Sequence, residues 1–519
     1  MARHRHLGLR MPRHPRRAPA IPAVPHHGGG ARERHEAGRA RRRPAGDLAP
    51  LNPPRSRTKR SSRPIGLGGE MYDVIVVGAR ISGASTAMLL SKAGHRVLLL
   101  DRAVFPGGKA AATNLVHPPG ILRLKKWGLL DELTATGCPP IREYGLQSGP
   151  ARLMAELPSV EGVNEAYSPE RSRLDQILLD AAVKAGAELR TGVSLRSLLT
   201  DEHGTVTGVR GETEDRTPVI EHARLVVGAD GSNSTVARLV DAEKYDAHPV
   251  LNKSHWSYWE GLPHDGRVRT YRHAHKHAFT WPTHDGLTIV GVALPVADFK
   301  ARSDEDRDRT VISAFEEVDP ARAELLRQTK RADRWMTGSV PNFLRRSDGP
   351  GWALVGDAGY TRDPITAAGI TDALRSAELL SEAVDAGLTG RRPLPEALAS
   401  YGRQRDALVS GHYRYTRDHA TIANHSREEI AFIRAMTRSP THGRDMVGMF
   451  ATMIHPSQFY SAANIHALLD HLEPGAGPGW KLRMVRWLVR GAPRHVPPAP
   501  RVADRLIAKN LGPMGTYLA

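Results

Sequence analysis

The feature that most constrains this chain is the stretch VIVVGARISGASTAMLLSKAGHRVLLLDR, residues 74 to 102. It opens with a continuous β-branched run, which is typical of a strand buried on both faces of a parallel sheet. After a turn at Gly78, apolar residues recur at helical spacing up to Ala93, and Gly94 predicts the end of the helix. A second apolar run begins at Arg96 and ends at Asp101. The stretch therefore predicts a strand–turn–helix–strand unit of a parallel α/β sheet.

The turn in this unit is suited to binding the pyrophosphate of a dinucleotide. Gly78 permits a tight turn, Gly83 lets the helix pack closely on the strand, and the helix N-terminus attracts phosphate. Asp101 is placed to hydrogen-bond ribose hydroxyls. Arg80 stands where the motif usually has its second glycine, so we expect a modified site in which this cation reaches over the pyrophosphate. A similar unit that binds no ligand is the competing interpretation.

Two later stretches repeat the pattern of a buried strand that runs into a glycine turn. They are LVVGADGSNSTVAR at 225 to 238 and WALVGDAGYTRDPITAAGITDALR at 352 to 375. Together with the first glycine turn and the sequence Arg171-Ser-Arg-Leu174, this order resembles the single-component FAD-dependent monooxygenases and their geranylgeranyl-reductase-like relatives. The resemblance covers residues 71 to about 405. It implies an α/β fold with a Rossmann-like FAD-binding domain, an inserted antiparallel-sheet substrate domain and a helical C-terminal region.

The predicted domains are discontinuous in sequence. We assign 71–140, 168–245 and 335–405 to the FAD-binding domain, 141–167 and 246–334 to the substrate domain, and 406–519 to the helical region. Residues 1–70 hold 17 Lys and Arg against 4 Asp and Glu and have few apolar residues, so we predict a disordered basic tail. Nucleic-acid binding through this tail is an alternative of a different class. Because the rest of the chain is nearly balanced in charge, we expect no nucleic-acid partner.

The resemblance implies a set of residues around the flavin. Asp357 would hydrogen-bond the ribityl chain, and the start of the helix near Gly369 would lie under the pyrimidine ring, where negative charge builds on reduction. Asp372 is expected to act as a helix N-cap. The predicted cofactor-binding residues are Gly78, Arg80, Gly83, Asp101, Arg102, Arg171, Asp230, Gly231, Gly356, Asp357, Ala368, Gly369 and Ile370.

One position of the third motif departs from the hydroxylase pattern. Many hydroxylases of the resembled family read Gly-Asp-Ala-Ala-His, whereas this chain has Tyr360 in place of the histidine and continues to Asp363-Pro364. This is closer to the reductase and halogenase branches. The halogenase motif Trp-x-Trp-x-Ile-Pro is absent, since Trp256-Ser-Tyr-Trp259 has a different spacing. Tyr360 is the candidate catalytic residue, and the choice between oxygenation and reduction stays open.

The substrate side is predicted from strand periodicity between 271 and 281. Odd-numbered aromatic and histidine side chains would project from one face of a single strand, and the turn at 282 to 286 would lead into a second strand. A metal site on the three histidines and a plain packing face are the alternatives, and we expect no metal because no carboxylate joins them locally. The predicted substrate-binding residues are Tyr258, His273, His275, His277 and Trp281.

The expected activity is that of an FAD-dependent monooxygenase acting on a small, mostly apolar organic molecule. The resemblance implies oxygen transfer from a flavin C4a-hydroperoxide, with NAD(P)H as electron donor or a separate flavin reductase as partner. A reductase of isoprenoid-like double bonds is the alternative. The single Cys138 suits a reducing cytoplasm. No apolar run reaches the length of a transmembrane segment, and the basic amphipathic stretch 481 to 490 predicts a helix packed on the protein, with a membrane-surface helix as the alternative.

Overall fold

A computed structural model describes residues 71–105, 113–299, 304–473 and 478–491, and the predicted basic tail 1–70 lies outside these described residues. Within them the strands are Tyr72–Val77 (β1), Val97–Asp101 (β2), Glu143–Ser148 (β3), Ala151–Glu156 (β4), Glu188–Thr191 (β5), Val193–Thr200 (β6), Val206–Thr213 (β7), Pro218–Gly228 (β8), Lys244–His248 (β9), Asn252–Glu260 (β10), Arg267–His273 (β11), Lys276–Pro282 (β12), Thr288–Pro295 (β13), Lys330–Arg331 (β14), Met336–Gly338 (β15), Asn342–Arg345 (β16), Asp348–Gly349 (β17), Trp352–Leu354 (β18) and Tyr360–Thr361 (β19). The helices over the same residues are Ile81–Lys92 (α1), Pro118–Trp127 (α2), Leu130–Ala135 (α3), Arg171–Lys184 (α4), Thr235–Leu239 (α5), Asp304–Glu316 (α6), Pro320–Gln328 (α7), Gly369–Leu388 (α8), Leu394–His419 (α9), Arg427–Arg438 (α10), Pro440–Phe450 (α11), Pro456–Phe459 (α12), Ala462–Leu469 (α13) and Pro478–Gly491 (α14).

The first sheet contains the predicted parallel unit. Its strand order is β17-β18-β8-β1-β2-β5, and β7 and β6 extend it from β8. The pairs β18–β8, β8–β1, β1–β2 and β2–β5 are parallel, so the strands that lead into the three glycine turns lie side by side. The prediction of strand, helix and strand from the opening stretch is confirmed by β1, α1 and β2.

Both faces of this sheet are covered, which explains the continuous apolar run in β1. Val74 and Val76 belong to the core that includes buried residues of α1, α4 and α8. Ile75 lies on the opposite face, in a second core with residues of β6, β7 and β8. A fully buried aliphatic side chain of this size stabilises the fold by about 1.5–3 kcal/mol. The continuous β-branched run is therefore required by burial on two sides.

The second sheet has the order β14-β10-β13-β12-β11-β3-β4, with β15 paired to β10. All its pairs are antiparallel except β11 with β3, which run parallel. A third, three-stranded sheet of order β19-β16-β9 lies beside the turn Gly356-Asp-Ala-Gly359, the GDAG turn. The mixed α/β class is thus confirmed, while the exact domain boundaries given above stay a prediction.

One prediction about the second sheet is wrong, because the alternating residues 271 to 281 do not share one strand face. The chain reverses at Ala274 and His275, whose φ angles of 45° and 60° form a two-residue hairpin turn. Register across the hairpin places Arg272 opposite His277. Tyr271 is consequently on the face that packs against Phe315 of α6, with ring centroids 5.4 Å apart. The other face carries His277, Phe279 and Trp281.

The C-terminal helices pack on that other face of the second sheet. Residues of α10, α11, α13 and α14 share one core with the aromatic residues of β10 and β12. In α14, Met484, Val485 and Leu488 are buried in this core, while Arg483 and Arg486 are exposed. The prediction of a helix packed on the protein is therefore confirmed for this segment. Among the helices of the described residues, none has both the length and the hydropathy needed to cross a bilayer.

Candidate functional site

The glycine turns that follow the parallel strands line one long cleft of about 640 Å³. The cleft lies at the carboxyl ends of β1, β2, β8 and β18, the edge at which open parallel sheets bind ligands. Twelve predicted residues lie along its wall: Gly78, Arg80, Asp101, Arg102, Arg171, Asp230, Gly231, Gly356, Asp357, Tyr360, Gly369 and Ile370. Gly83 and Ala368 lie just behind the wall, at the starts of α1 and α8.

The first glycine turn is held tightly against its neighbours. Gly78 has a φ of 106°, which favours glycine, and a Cβ there would lie 2.5 Å from the carbonyl oxygen of Ala229. A Cβ on Gly83 would lie 1.7 Å from the carbonyl oxygen of Gly78. The Asp101 carboxylate accepts hydrogen bonds from the amides of Ala79 at 2.7 Å and Ala103 at 2.8 Å. Asp101 therefore fixes the turn as well as lining the cleft.

Arg80 is the N-cap of α1 and pairs with a carboxylate that the sequence analysis did not identify. Its Nη1 lies 3.1 Å from Oδ2 of Asp175 on α4, and the Asp175 side chain is only 5% exposed. Arg171, one turn before Asp175, contacts the same carboxylate, with Nη2 at 3.0 Å from Oδ1. Two guanidinium groups thus share one carboxylate at the cleft wall. The resulting excess of positive charge suits an anionic pyrophosphate.

Asp230 also has a role in holding the backbone. Its carboxylate accepts hydrogen bonds from the Ser234 hydroxyl at 2.5 Å and from the amide of Thr235 at 2.6 Å. These bonds fix the start of the short helix α5, because the amides of a first helical turn lack partners within the helix. Gly231, next in the chain, has a φ of 82° and no atom within 4 Å of where a Cβ would stand. The GADG turn is therefore rigid at Asp230 and open toward the cleft at Gly231.

The far end of the cleft is formed by the GDAG turn and the start of α8. The Asp357 side chain is exposed toward the cleft, which it lines. Desolvation by the surrounding protein raises the pKa of this carboxyl to about 6, with Arg171 lowering the pKa and Asp372 raising it. Burial likewise keeps the pKa of the Tyr360 hydroxyl well above its usual value, so this group stays protonated at neutral pH.

The prediction that Asp372 is a helix N-cap is wrong. The N-cap of α8 is Ala368, which places Asp372 within the first turn of the helix. Its Oδ2 accepts a hydrogen bond of 2.6 Å from Nη2 of Arg362, and both side chains are almost fully buried. Arg362 also donates to the hydroxyl of Thr416 on α9. Asp372 therefore neutralises a buried cation beside the cleft.

The predicted substrate-binding residues fall in three different places. Tyr258 and Trp281 are buried behind the cleft, where Tyr258 accepts a hydrogen bond from Asn114 at 2.9 Å and Trp281 donates to the Thr113 carbonyl oxygen at 3.2 Å. His277 lines a separate cavity on the same side of the second sheet. The other two do not join either group, since His273 stacks on His425 and His275 is exposed on the hairpin turn.

Sequence reasoning missed the buried pair His117 and Tyr144. Nε2 of His117 lies 2.9 Å from the carbonyl oxygen of Thr366, in the turn before α8, and Nδ1 lies 2.7 Å from the Tyr144 hydroxyl. Burial lowers the pKa of His117 to about 4, so its ring is neutral, with Nε2 donating and Nδ1 accepting. The only signal in the sequence is the pair Pro118-Pro119 after His117, because proline is favoured at the first position of a helix.

A pH-dependent group lies at the same end of the cleft. Asp363 is only 1% exposed, and its Oδ1 accepts a hydrogen bond of 3.0 Å from the amide of Ile365. Burial raises the pKa of this carboxyl to about 7, although the bond from Ile365 lowers it. The folded-state pKa thus lies above the unfolded value of about 3.9. The neutral carboxyl stabilises the fold fully below about pH 4, and this stabilisation is lost as the pH rises through about 7.

We expect Asp363→Asn to be more stable than the natural protein at pH 8. All other titratable groups are the same in the two proteins, so any pH dependence of the difference comes from residue 363. Asparagine keeps the acceptor for Ile365 and does not ionise, so the difference in free energy of unfolding should grow from pH 4 to pH 8 by about 2 kcal/mol or more. Urea unfolding of both proteins at pH 4, 6 and 8 measures it. A difference that is constant over this range would contradict the prediction.

Taken together, the fold and the cleft define a dinucleotide-binding α/β protein. The acid at the end of β2, the glycine turn, the shared arginines and the start of α8 at the opposite end fit an extended dinucleotide. Its adenosine would lie toward β2, its pyrophosphate at the glycine turn, and its second ring system near α8. The chain belongs to the FAD binding domain family, whose sequence pattern matches residues 71–415. It is therefore an FAD-dependent oxidoreductase.

Similar proteins differ in the reaction that they catalyse. A 12-dehydrotetracycline 5-monooxygenase/anhydrotetracycline 6-monooxygenase of Streptomyces rimosus is 29% identical over 372 residues, which cover 68% of this chain and 70% of the relative. Digeranylgeranylglycerophospholipid reductase 2 of Methanothermobacter thermautotrophicus is also 29% identical, over 61% of this chain and 79% of the relative. Among solved structures, PqsL of P. aeruginosa in complex with 2-aminobenzoylacetate has a TM-score of 0.62 at 24% identity and covers 70% of this chain and 99% of its own.

Proposed function

We propose that the protein is an FAD-dependent monooxygenase that inserts one oxygen atom into a small, mostly apolar organic molecule. The observation that supports this most directly is the contact between the cleft and the aromatic face of the second sheet. Thr113, Asn114 and Leu115 line the cleft, and Leu115 belongs to the same apolar core as Tyr258 and Trp281. An apolar wall beside the flavin would exclude water from the reacting groups.

The cofactor-binding residues of this proposal are those predicted from the sequence. Gly78 and the first turn of α1 would hold the pyrophosphate, with Arg80 and Arg171 supplying positive charge, and Asp101 would hold the adenosine ribose. Asp357 would accept a hydrogen bond from the ribityl chain, and the amides at the start of α8 would stabilise negative charge on the pyrimidine ring. When bound and reduced, FAD supplies the electrons for oxygen chemistry.

The residues of the protein would position the substrate beside the flavin and exclude water from the site. Tyr360 remains the candidate catalytic residue, because it lines the cleft and holds a protonated hydroxyl. The hydrogen bonds from Asn114 to Tyr258 and from Trp281 to Thr113 keep the aromatic wall in a fixed place beside the cleft. NAD(P)H is the proposed electron donor, and a separate flavin reductase is the alternative. The single cysteine supports a cytoplasmic location.

A second candidate is a reductase of isoprenoid-like double bonds. It is favoured by the similarity to the digeranylgeranylglycerophospholipid reductase and to menaquinone reductase of Mycolicibacterium smegmatis, 26% identical over 66% of this chain and 81% of the relative. Tyr360 and Asp363 at the third motif favour it as well, since they depart from the hydroxylase pattern. This activity adds two hydrogens to the substrate and uses no oxygen.

Isotope labelling separates the two candidates. We expect the FAD-loaded protein, given NADPH and oxygen-18 gas, to incorporate one labelled oxygen atom into anhydrotetracycline or 2-aminobenzoylacetate, the compounds named for its relatives. Mass spectrometry of the product measures the label, and free FAD with NADPH is the control for uncatalysed oxidation. A product that gains two hydrogens without air, and no label in air, would establish the reductase instead.

A further inference from the structure

A second cavity, of about 220 Å³, lies between the second sheet and the C-terminal helices. Its floor comes from β3, β11 and β12, and α9, α10, α11 and α14 close it. Most of the wall is apolar or aromatic: Leu153, Phe432, Ile433, Met436, Phe450 and Trp487. The cavity is smaller than the usual 300–1,000 Å³ of sites for drug-sized ligands. It suits a molecule of one or two rings.

Only a thin layer of side chains separates this cavity from the flavin cleft. Phe450 lines the cavity, and its ring centroid lies 6.2 Å from that of Tyr144 and 6.4 Å from that of His117. His117 in turn contacts the carbonyl oxygen of Thr366, between Pro364 and Ala367 on the cleft wall. The cavity is therefore adjacent to the turn that precedes α8.

The charges at the polar end of the cavity are matched within the protein. Arg272 forms an ion pair with Glu429 of α10. Ser148 joins them, because its hydroxyl accepts from Nη2 of Arg272 at 3.1 Å and donates to Oε1 of Glu429 at 3.1 Å. Since the arginine already has a carboxylate partner, a second anion would gain little from it. The cavity favours an uncharged ligand.

Nε of Arg272 and both ring nitrogens of His277 are nevertheless buried at this end without a hydrogen-bond partner among the described residues. His277 is 2% exposed and lines the cavity. Burial, with a smaller contribution from Arg272, lowers the pKa of the imidazole to about 3. The ring is neutral at physiological pH, so one nitrogen donates and the other accepts. Buried polar groups without partners are rare in folded proteins and destabilise them.

We propose that this cavity binds a planar, uncharged molecule of one or two rings, whose hydroxyl, carbonyl or ring nitrogen hydrogen-bonds His277. The aromatic wall contacts the faces and edges of the rings, and the imidazole recognises the single polar group at the buried end. That this ligand is the substrate of the enzyme rests on the proposed function. The binding itself does not, because it requires neither reduction nor oxygen.

The test is calorimetric titration of the oxidised, FAD-loaded protein with 2-naphthol and, separately, with naphthalene. We expect His277→Phe to weaken 2-naphthol binding about five- to tenfold, the loss of one buried hydrogen bond. Naphthalene affinity should change by less than about twofold, because naphthalene has no group that hydrogen-bonds His277. His203→Phe, the same replacement at an exposed position outside the cavity, should leave both affinities unchanged.

A second variant keeps the result interpretable if His277→Phe alters the fold. Met446 lines the cavity and is only partly buried, so Met446→Trp should occupy the space and abolish binding of both compounds while FAD content is retained. Binding of 2-naphthol that is unchanged in both variants, or no binding to the natural protein at millimolar concentration, would overturn the inference. Failure of the oxygen-18 experiment with intact 2-naphthol binding would contradict only the proposed monooxygenase.

Discussion

Gly83→Ala is expected to yield colourless protein and to lower the free energy of unfolding by about 3 kcal/mol or more. The added methyl group would lie 1.7 Å from the carbonyl oxygen of Gly78, and this contact is with backbone, which cannot move aside as a flexible side chain could. Helix α1 must then move away from β1, which opens the turn that Asp101 holds through the amide of Ala79. Flavin absorbance per mole of purified protein and urea unfolding measure the two effects.

Gly479→Ala is the matched control for this prediction. Gly479 also lies in a helix, but a Cβ there meets nothing within 4 Å. Replacing an exposed helical glycine by alanine stabilises a helix by about 0.5–1 kcal/mol, so this variant should remain yellow and unfold at equal or higher urea concentration. If Gly83→Ala also retains full FAD and stability, the close packing of α1 on the glycine turn is not what forms the cofactor site.

Asp372→Asn should lower the free energy of unfolding by about 3–5 kcal/mol, the usual effect of breaking one side of a buried ion pair. Arg362 would keep its charge and its bond to Thr416 but lose the carboxylate of Asp372 that pairs with it. The change should also lower the pKa of Asp357, because Asp372 raises it. Urea unfolding at pH 7 measures the stability.

The exposed pair of Lys126 and Glu161 provides the comparison. Its nitrogen and oxygen are 2.9 Å apart, a distance similar to that of the buried pair. Water screens both charges of an exposed ion pair, so Glu161→Gln should have little effect on the free energy of unfolding. Equal losses in the two variants would mean that burial of Arg362 and Asp372 does not determine the strength of their interaction.

The first glycine turn could be predicted from the sequence because all its parts lie within one short segment. Strand burial, glycine spacing and the acid after β2 are local signals, and Gly78, Gly83 and Asp101 lie in the predicted arrangement. The role of Arg80 was harder to predict from the sequence, since its partner Asp175 is 95 residues away. The pattern of a cation in place of a glycine indicates a changed turn but does not identify the carboxylate that pairs with it.

The hairpin at Ala274 and His275 shows where alternation along a strand misleads. The segment Arg272-His-Ala-His-Lys276 has no glycine, asparagine or proline to mark a turn, and its polar alternation continues across the reversal. Two residues in the left-handed region then place His273 and His277 on different faces. The second cavity could not be predicted from the sequence either, because half of its wall comes from helices more than 100 residues farther along the chain.

The order of the strands in the first sheet has a consequence for synthesis of the chain on the ribosome. Strand β8 pairs with β1 on one side and with β18 on the other, yet β18 begins about 124 residues after the end of β8. At about 5–20 residues per second, roughly 6–25 s pass before β18 can cover the free edge of β8. During this time an apolar strand edge stays open to other nascent chains, and the cradle for FAD is incomplete. Chains that terminate before Trp352 should accumulate as colourless aggregates. The late synthesis of this short strand therefore sets the time at which the sheet edge is protected from aggregation.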